Sequence, residues 1–159
     1  MKLIEKEPVQ RVQRILNQFD SNSKVIVLKS SARTALEAAK SLNCEVGAIV
    51  KSLLFKTEQN FILCLVAGDK KASLNKIKKI LNMKDVSMAS ADDVKNVTGF
   101  TIGGVSPIGH LNKIEILIDL SLERFDKLFA AAGNPNCVFK ISFQDFCKIT
   151  KGSVKELVE

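Results

Sequence analysis

The chain has 159 residues, 46% of them hydrophobic, enough apolar material for one domain with a buried core and more than a disordered chain carries. No run reaches the roughly 18 apolar residues of a spanning helix, and Met1-Lys-Leu-Ile-Glu-Lys-Glu-Pro8 lacks the apolar stretch of a secretion signal, so a soluble, cytoplasmic protein with no membrane partner is expected. An excess of 24 basic over 17 acidic residues gives a net charge of +7, which favours polyanions such as RNA, although the absence of Trp and Tyr leaves only Phe for stacking on bases.

Val9, Val12, Ile15, Leu16 and Phe19 form a helical stripe, opened by Pro8 in the first turn and broken at Asp20-Ser-Asn-Ser23. Lys24–Leu28 is short and β-branched, as a strand would be. Ser30 and Ser31 offer N-caps to a helix over Thr34–Leu42, with Asn43 at its end. Glu45–Val50 reads as a further helical turn, Ser52–Thr57 and Phe61–Val66 as two strands joined through Glu58-Gln-Asn60. A lysine-rich helix follows over Ser73–Asn82, with Leu74, Ile77, Ile80 and Leu81 inward and Lys70, Lys71, Lys76, Lys78, Lys79 and Lys84 around it. That basic face is either solvated or a contact for RNA.

Ser90-Ala-Asp-Asp93 opens a short helix that stops at Gly99. Beyond the glycine-rich stretch, Ile114–Asp119 is a strand, Ser121–Phe125 a helical turn, and Lys127–Ala132 and Cys137–Ile141 two strands around the turn Gly133-Asn-Pro-Asn136. Ser142 caps a last helix that carries Phe143, Phe146 and Ile149 inward and ends near Gly152. Hairpins with intervening helices, without regular βαβ alternation, imply an α+β domain around a mixed sheet.

Cys44, Cys64, Cys137 and Cys147 lie far apart and His110 is the sole histidine, so zinc-ligand spacing is absent and the thiols are expected to be free. Cys64, within Phe61-Ile-Leu-Cys-Leu-Val66, reads as a core residue. Lys51, among apolar neighbours, either snorkels to the surface or directs its ammonium into a polar pocket to bind a phosphate or carboxylate. Gly99-Phe-Thr-Ile-Gly-Gly-Val-Ser-Pro-Ile-Gly-His110 concentrates residues that allow positive φ and close approach to the main chain; it is either a tight turn or a binding loop presenting amides.

Val50-Lys-Ser-Leu53, Thr98–Gly109 and Ala130-Ala-Ala-Gly-Asn-Pro135 together closely resemble the YbaK/EbsC family, the stand-alone relatives of the editing insertion of bacterial prolyl-tRNA synthetases. The resemblance runs from about Ser31 to the C-terminus, leaving residues 1–20 outside it within a single domain of residues 1–159. It implies a compact domain on a mixed, barrel-like sheet, and trans-editing: hydrolysis of the ester joining a wrong amino acid to the 3′ end of a tRNA. Lys51 matches the family's essential lysine, Gly103 and Pro107 its G-x-x-x-P loop with Gly104 beside Gly103, and Gly133 a glycine of the second pocket loop. Ser52, Val105, Ser106 and His110 are the adjoining candidates for substrate binding.

An aminoacyl ester is already activated, so positioning, backbone donors for the developing oxyanion and a ribose hydroxyl of the substrate would suffice without metal or cofactor. The family member that acts on cysteinyl-tRNA has an aspartate shortly after the second-loop glycine; Gly133-Asn-Pro-Asn-Cys-Val138 has none, so alanine, serine, threonine and cysteine all remain as substrates. The expected partners are a misacylated tRNA, with tRNA-Pro as one candidate carrier, and a synthetase, with no DNA. The alternatives are a module that binds aminoacyl-tRNA or a synthetase without catalysis, and an unrelated domain with a purely structural glycine loop.

Overall fold

The computed structural model describes residues 1–30 and 32–159. Its helices are α1 (Glu7–Phe19), α2 (Ala35–Leu42), α3 (Leu74–Leu81), α4 (Ala91–Thr98) and α5 (Phe143–Thr150). Its strands are β1 (Ile26–Val27), β2 (Val50–Lys56), β3 (Phe61–Ala67), β4 (Ser87–Met88), β5 (Glu115–Asp119), β6 (Lys127–Asn134), β7 (Cys137–Ser142) and β8 (Ser153–Lys155). Strands β1, β7 and β6 make an antiparallel sheet; β4, β2, β3, β5 and β8, in that order, make a mixed one. In the mixed sheet β4, β2 and β3 are antiparallel, while β3, β5 and β8 run parallel.

The helix ends follow their capping chemistry. Ser73, Ser90 and Ser142 accept from the amides of Lys76, Asp93 and Asp145, and Asn43, Asn82 and Gly99 close their helices in the left-handed conformation. Two ends differ from expectation. Thr34, not Ser30, caps α2, accepting from Glu37 N at 3.1 Å, and the expected cap Ser31 lies outside the described residues. At the end of α5, Lys151 takes the left-handed conformation (φ 57°) in place of Gly152. Gly152 has another reason to be glycine: a Cβ there would lie 2.8 Å from Ile116 Cγ2.

Strand β3 reads as a continuous apolar run because both its faces are buried. Leu63, Leu65 and Ala67 enter the main core with α1, β6 and β7, whereas Ile62, Cys64 and Val66 pack under α3 with Phe55, Ile77 and Leu117. Cys64 is thus a core residue, and burial pushes its thiol up to about 12. A third cluster, Leu28, Ala32, Ala38, Ala39, Ile49 and Val138, lies under α2, where alanines let helix and sheet approach closely.

The two sheets meet at a parallel bridge between Ile49 and Phe129. The barrel-like arrangement therefore stays open, because β1, β4 and β8 are two or three residues long and cannot extend the pairing around it. No described helix is long and apolar enough to cross a membrane.

Candidate active site

The gap between the sheets holds the site. On its outer edge β2 pairs with β4 only at Phe55 and Lys56, which leaves the edge of Val50–Leu53 unpaired by β4. Along that edge runs a cleft of about 420 Å³. Its far wall is Phe129 and Ala131 of β6 with Val138 of β7; Ile102, Gly103, Val105 and Pro135 close one side, and Arg33, Thr34, Ala35 and Ala38 of the α2 end close the other.

Lys51 and Ser52 are, with Arg33 and Thr34, the polar residues of this mostly apolar lining. Half-buried, Lys51 donates from Nζ to the carbonyl of Lys70. Burial pushes its ammonium below the usual lysine value, and Asp69 opposes that effect. Asp69 is itself held by the Arg124 fork at 2.7 and 3.0 Å; that hydrogen bond is the main reason its carboxyl lies below the usual range. The Ser52 hydroxyl oxygen is buried with no hydrogen-bond partner among the described residues. An orphaned buried hydroxyl costs free energy unless something binds it.

The structure brings together part of the sequence-derived set. Lys51, Ser52, Gly103 and Val105 share the cleft. Gly103 has φ 92°, and a Cβ there would stand 3.4 Å from Pro135 Cγ, a position that needs glycine for its backbone more than for its space. Gly104 does not line the cleft: its amide is spent on Thr101 O at 2.9 Å, and a Cβ would lie 3.0 Å from the Asn134 main chain. The amides of Gly103 and Val105 have no backbone acceptor among the described residues.

Other members of the set sit elsewhere. Ser106 is fully buried; its hydroxyl accepts from Ile108 N at 3.3 Å and its carbonyl from His110 Nε2 at 2.7 Å. Pro107 and His110 line a separate cleft of about 850 Å³ with Ile15, Lys113 and Lys151. Burial holds the His110 imidazole below its ordinary value, so it is neutral at pH 7 and its Nε2–H is the donor to Ser106. Gly133 (φ 88°) faces α1, where a Cβ would meet Pro8 O at 2.6 Å. Arg33 and Phe129 escape the sequence reading, and Ala131 and Pro135, though within the motif Ala130–Pro135, are not singled out by it as site residues.

Residues 29–149 match the model of the aminoacyl-tRNA editing domain. The chain belongs to that family. Among its relatives, the editing-domain chain is 30% identical over 138 residues to the uncharacterized protein YwhH of Bacillus subtilis, covering 86% of this chain and 87% of YwhH. It is 29% identical over 136 residues to the proline–tRNA ligase of Caldicellulosiruptor bescii, covering 85% of this chain and 23% of the ligase. The editing domain also superposes on the crystal structure of a candidate trans-editing enzyme for prolyl tRNA synthetase with a TM-score of 0.91 and 34% identity, over 97% of this chain and 98% of that one. Expected from its motifs, the α+β editing fold is thereby confirmed.

Proposed function

We propose that this editing domain is a deacylase that cleaves a small amino acid from a misacylated tRNA. One observation carries the reading: Lys51, Ser52 with its hydroxyl orphaned among the described residues, Gly103 and Val105 line one cleft together with alanines, valines and Phe129. The match to proline–tRNA ligases supports tRNA-Pro as the carrier.

The amino acid occupies the apolar end, beside Ala131 and Val138, while the terminal ribose and phosphate lie toward Lys51. Lys51 supplies positive charge to a phosphate or substrate oxygen, and Ser52 gives its hydroxyl to the bound ester. Water attacks the ester carbonyl; the electron pair moves to the carbonyl oxygen, toward the amides of Gly103 and Val105, which have no backbone acceptor among the described residues. Collapse of the tetrahedral intermediate breaks the bond to the ribose oxygen. That oxygen leaves with a proton from the attacking water, giving the free amino acid and uncharged tRNA. A ribose hydroxyl beside the ester relays the proton, so no protein base is needed.

Size sets the specificity. A methylene too many is worth only about 1–3 kcal/mol in an apolar pocket, so small amino acids are separated incompletely. Incubating the protein with tRNAs charged with Ala, Ser, Thr, Cys and Pro and measuring the free amino acid tests this. Preferential release of one or two small residues is expected; equal release of all, or of none by folded protein, would overturn the reading.

A further inference from the structure

The family match begins at residue 29 and so leaves out α1, yet α1 holds both loops beside the cleft. Arg11, with 14% of its side chain exposed, donates from Nε to Gly109 O at 2.5 Å and from Nη2 to Thr98 O at 3.3 Å. One guanidinium thus ties together the two ends of the loop 99–109. Glu7, one turn earlier, aims it through contacts of 2.5 and 2.9 Å to Nη1, and the guanidinium carbon of Arg11 sits 4.6 Å from the centre of the Phe100 ring. His110 binds Ser106 O between these ends. The neck of the loop is shaped around the guanidinium: a Cβ on Gly99 would lie 2.6 Å from Arg11 Nη2. On the second loop, Gly133 gives room to the Pro8 carbonyl of the same helix.

We infer that Arg11 is a positioning residue for the reaction, holding Thr98 O and Gly109 O so that the loop presents Gly103 and Val105 to the cleft. This rests on the deacylase reading. Arg11 does not line the cleft, so it acts through loop geometry and not by contact with substrate. Small displacements of a donor matter because an oxyanion is stabilised only at hydrogen-bond distance. Lysine can replace it only in part, since one ammonium lacks the planar fork that reaches two carbonyls and a carboxylate at once.

The test compares Arg11→Met and Arg11→Lys with wild type, using Arg14→Met, an exposed cation of the same helix, as control. Three quantities are read: thermal melting, kcat and KM for amino-acid release, and hydrogen exchange of the amides of residues 103–106. The expected result for Arg11→Met is a kcat lowered about tenfold or more at little-changed KM, with faster loop exchange well below the melting temperature. Arg11→Lys should fall between it and wild type, and Arg14→Met should match wild type. Full kcat in folded Arg11→Met, or lost kcat with unchanged loop exchange, would overturn the inference. If Arg11→Met does not fold, Arg11→Lys decides by the same criteria. A wild type that releases no amino acid from any ester overturns the deacylase reading separately, and loop exchange then still upholds or overturns the hold of Arg11 on the loop.

Discussion

Gly103 and Gly99 share one loop and both have left-handed backbones, but a Cβ added at Gly103 would meet Pro135 Cγ at 3.4 Å, whereas one at Gly99 would strike Arg11 Nη2 and Leu111 Cγ at 2.6 Å. Gly103 looks into the cleft; Gly99, like Gly109 and Gly133, looks onto α1. The glycine pattern thus serves two needs. On the cleft side it exposes backbone, and on the helix side it lets backbone and α1 come close enough for carbonyls to meet a guanidinium.

The most forceful way to break this comparison is Gly133→Ala. It combines a positive φ with a clash against main chain, at Pro8 O, that no rotamer change relieves. A loss of about 3 kcal/mol or more in urea unfolding is expected. Gly103→Ala sharpens the contrast: with only φ strain to bear, it should lose about 1 kcal/mol while turnover falls about tenfold or more, because Cβ enters the cleft. A third substitution, Ser52→Ala, removes an unsatisfied hydroxyl, so stability should be unchanged or rise by about 1 kcal/mol while turnover falls.

The smallest expected effect is that of pH on the helix side. His110 is held below its unfolded value of about 6.5, so between those two values the unfolded chain binds more protons than the folded one. Its neutral-state contribution is fully present above pH 6.5 and is lost as pH falls through the window below. Urea midpoints of wild type should therefore drop more steeply over that window than those of His110→Gln; parallel slopes would remove His110 from the account.

Much of the fold was legible because it is written in local chemistry. Ser73 and Asn82 bound α3 where the serine and asparagine stand, and the unbroken apolar run of Phe61–Val66 marks a strand buried on both faces. Strands β4 and β8 were not legible: all their residues are exposed, so no apolar periodicity marks them, and they form only by pairing with β2 and β5. At the site, the motif residues Lys51, Ser52, Gly103 and Val105 were legible, whereas Phe129 reaches the cleft only because of the sheet pairing at the Ile49–Phe129 bridge. Nor could spacing reveal that Arg11 and Gly109 meet, since 98 positions separate them and only the packing of α1 joins them.

Single-turnover release of amino acid from the preferred aminoacyl-tRNA, by wild type and by Lys51→Ala, tests the central claim most directly. The account predicts loss of about 100-fold or more in rate in Lys51→Ala, with thermal melting preserved because the half-buried ammonium is held against its desolvation cost. Release at the wild-type rate by folded Lys51→Ala would contradict it.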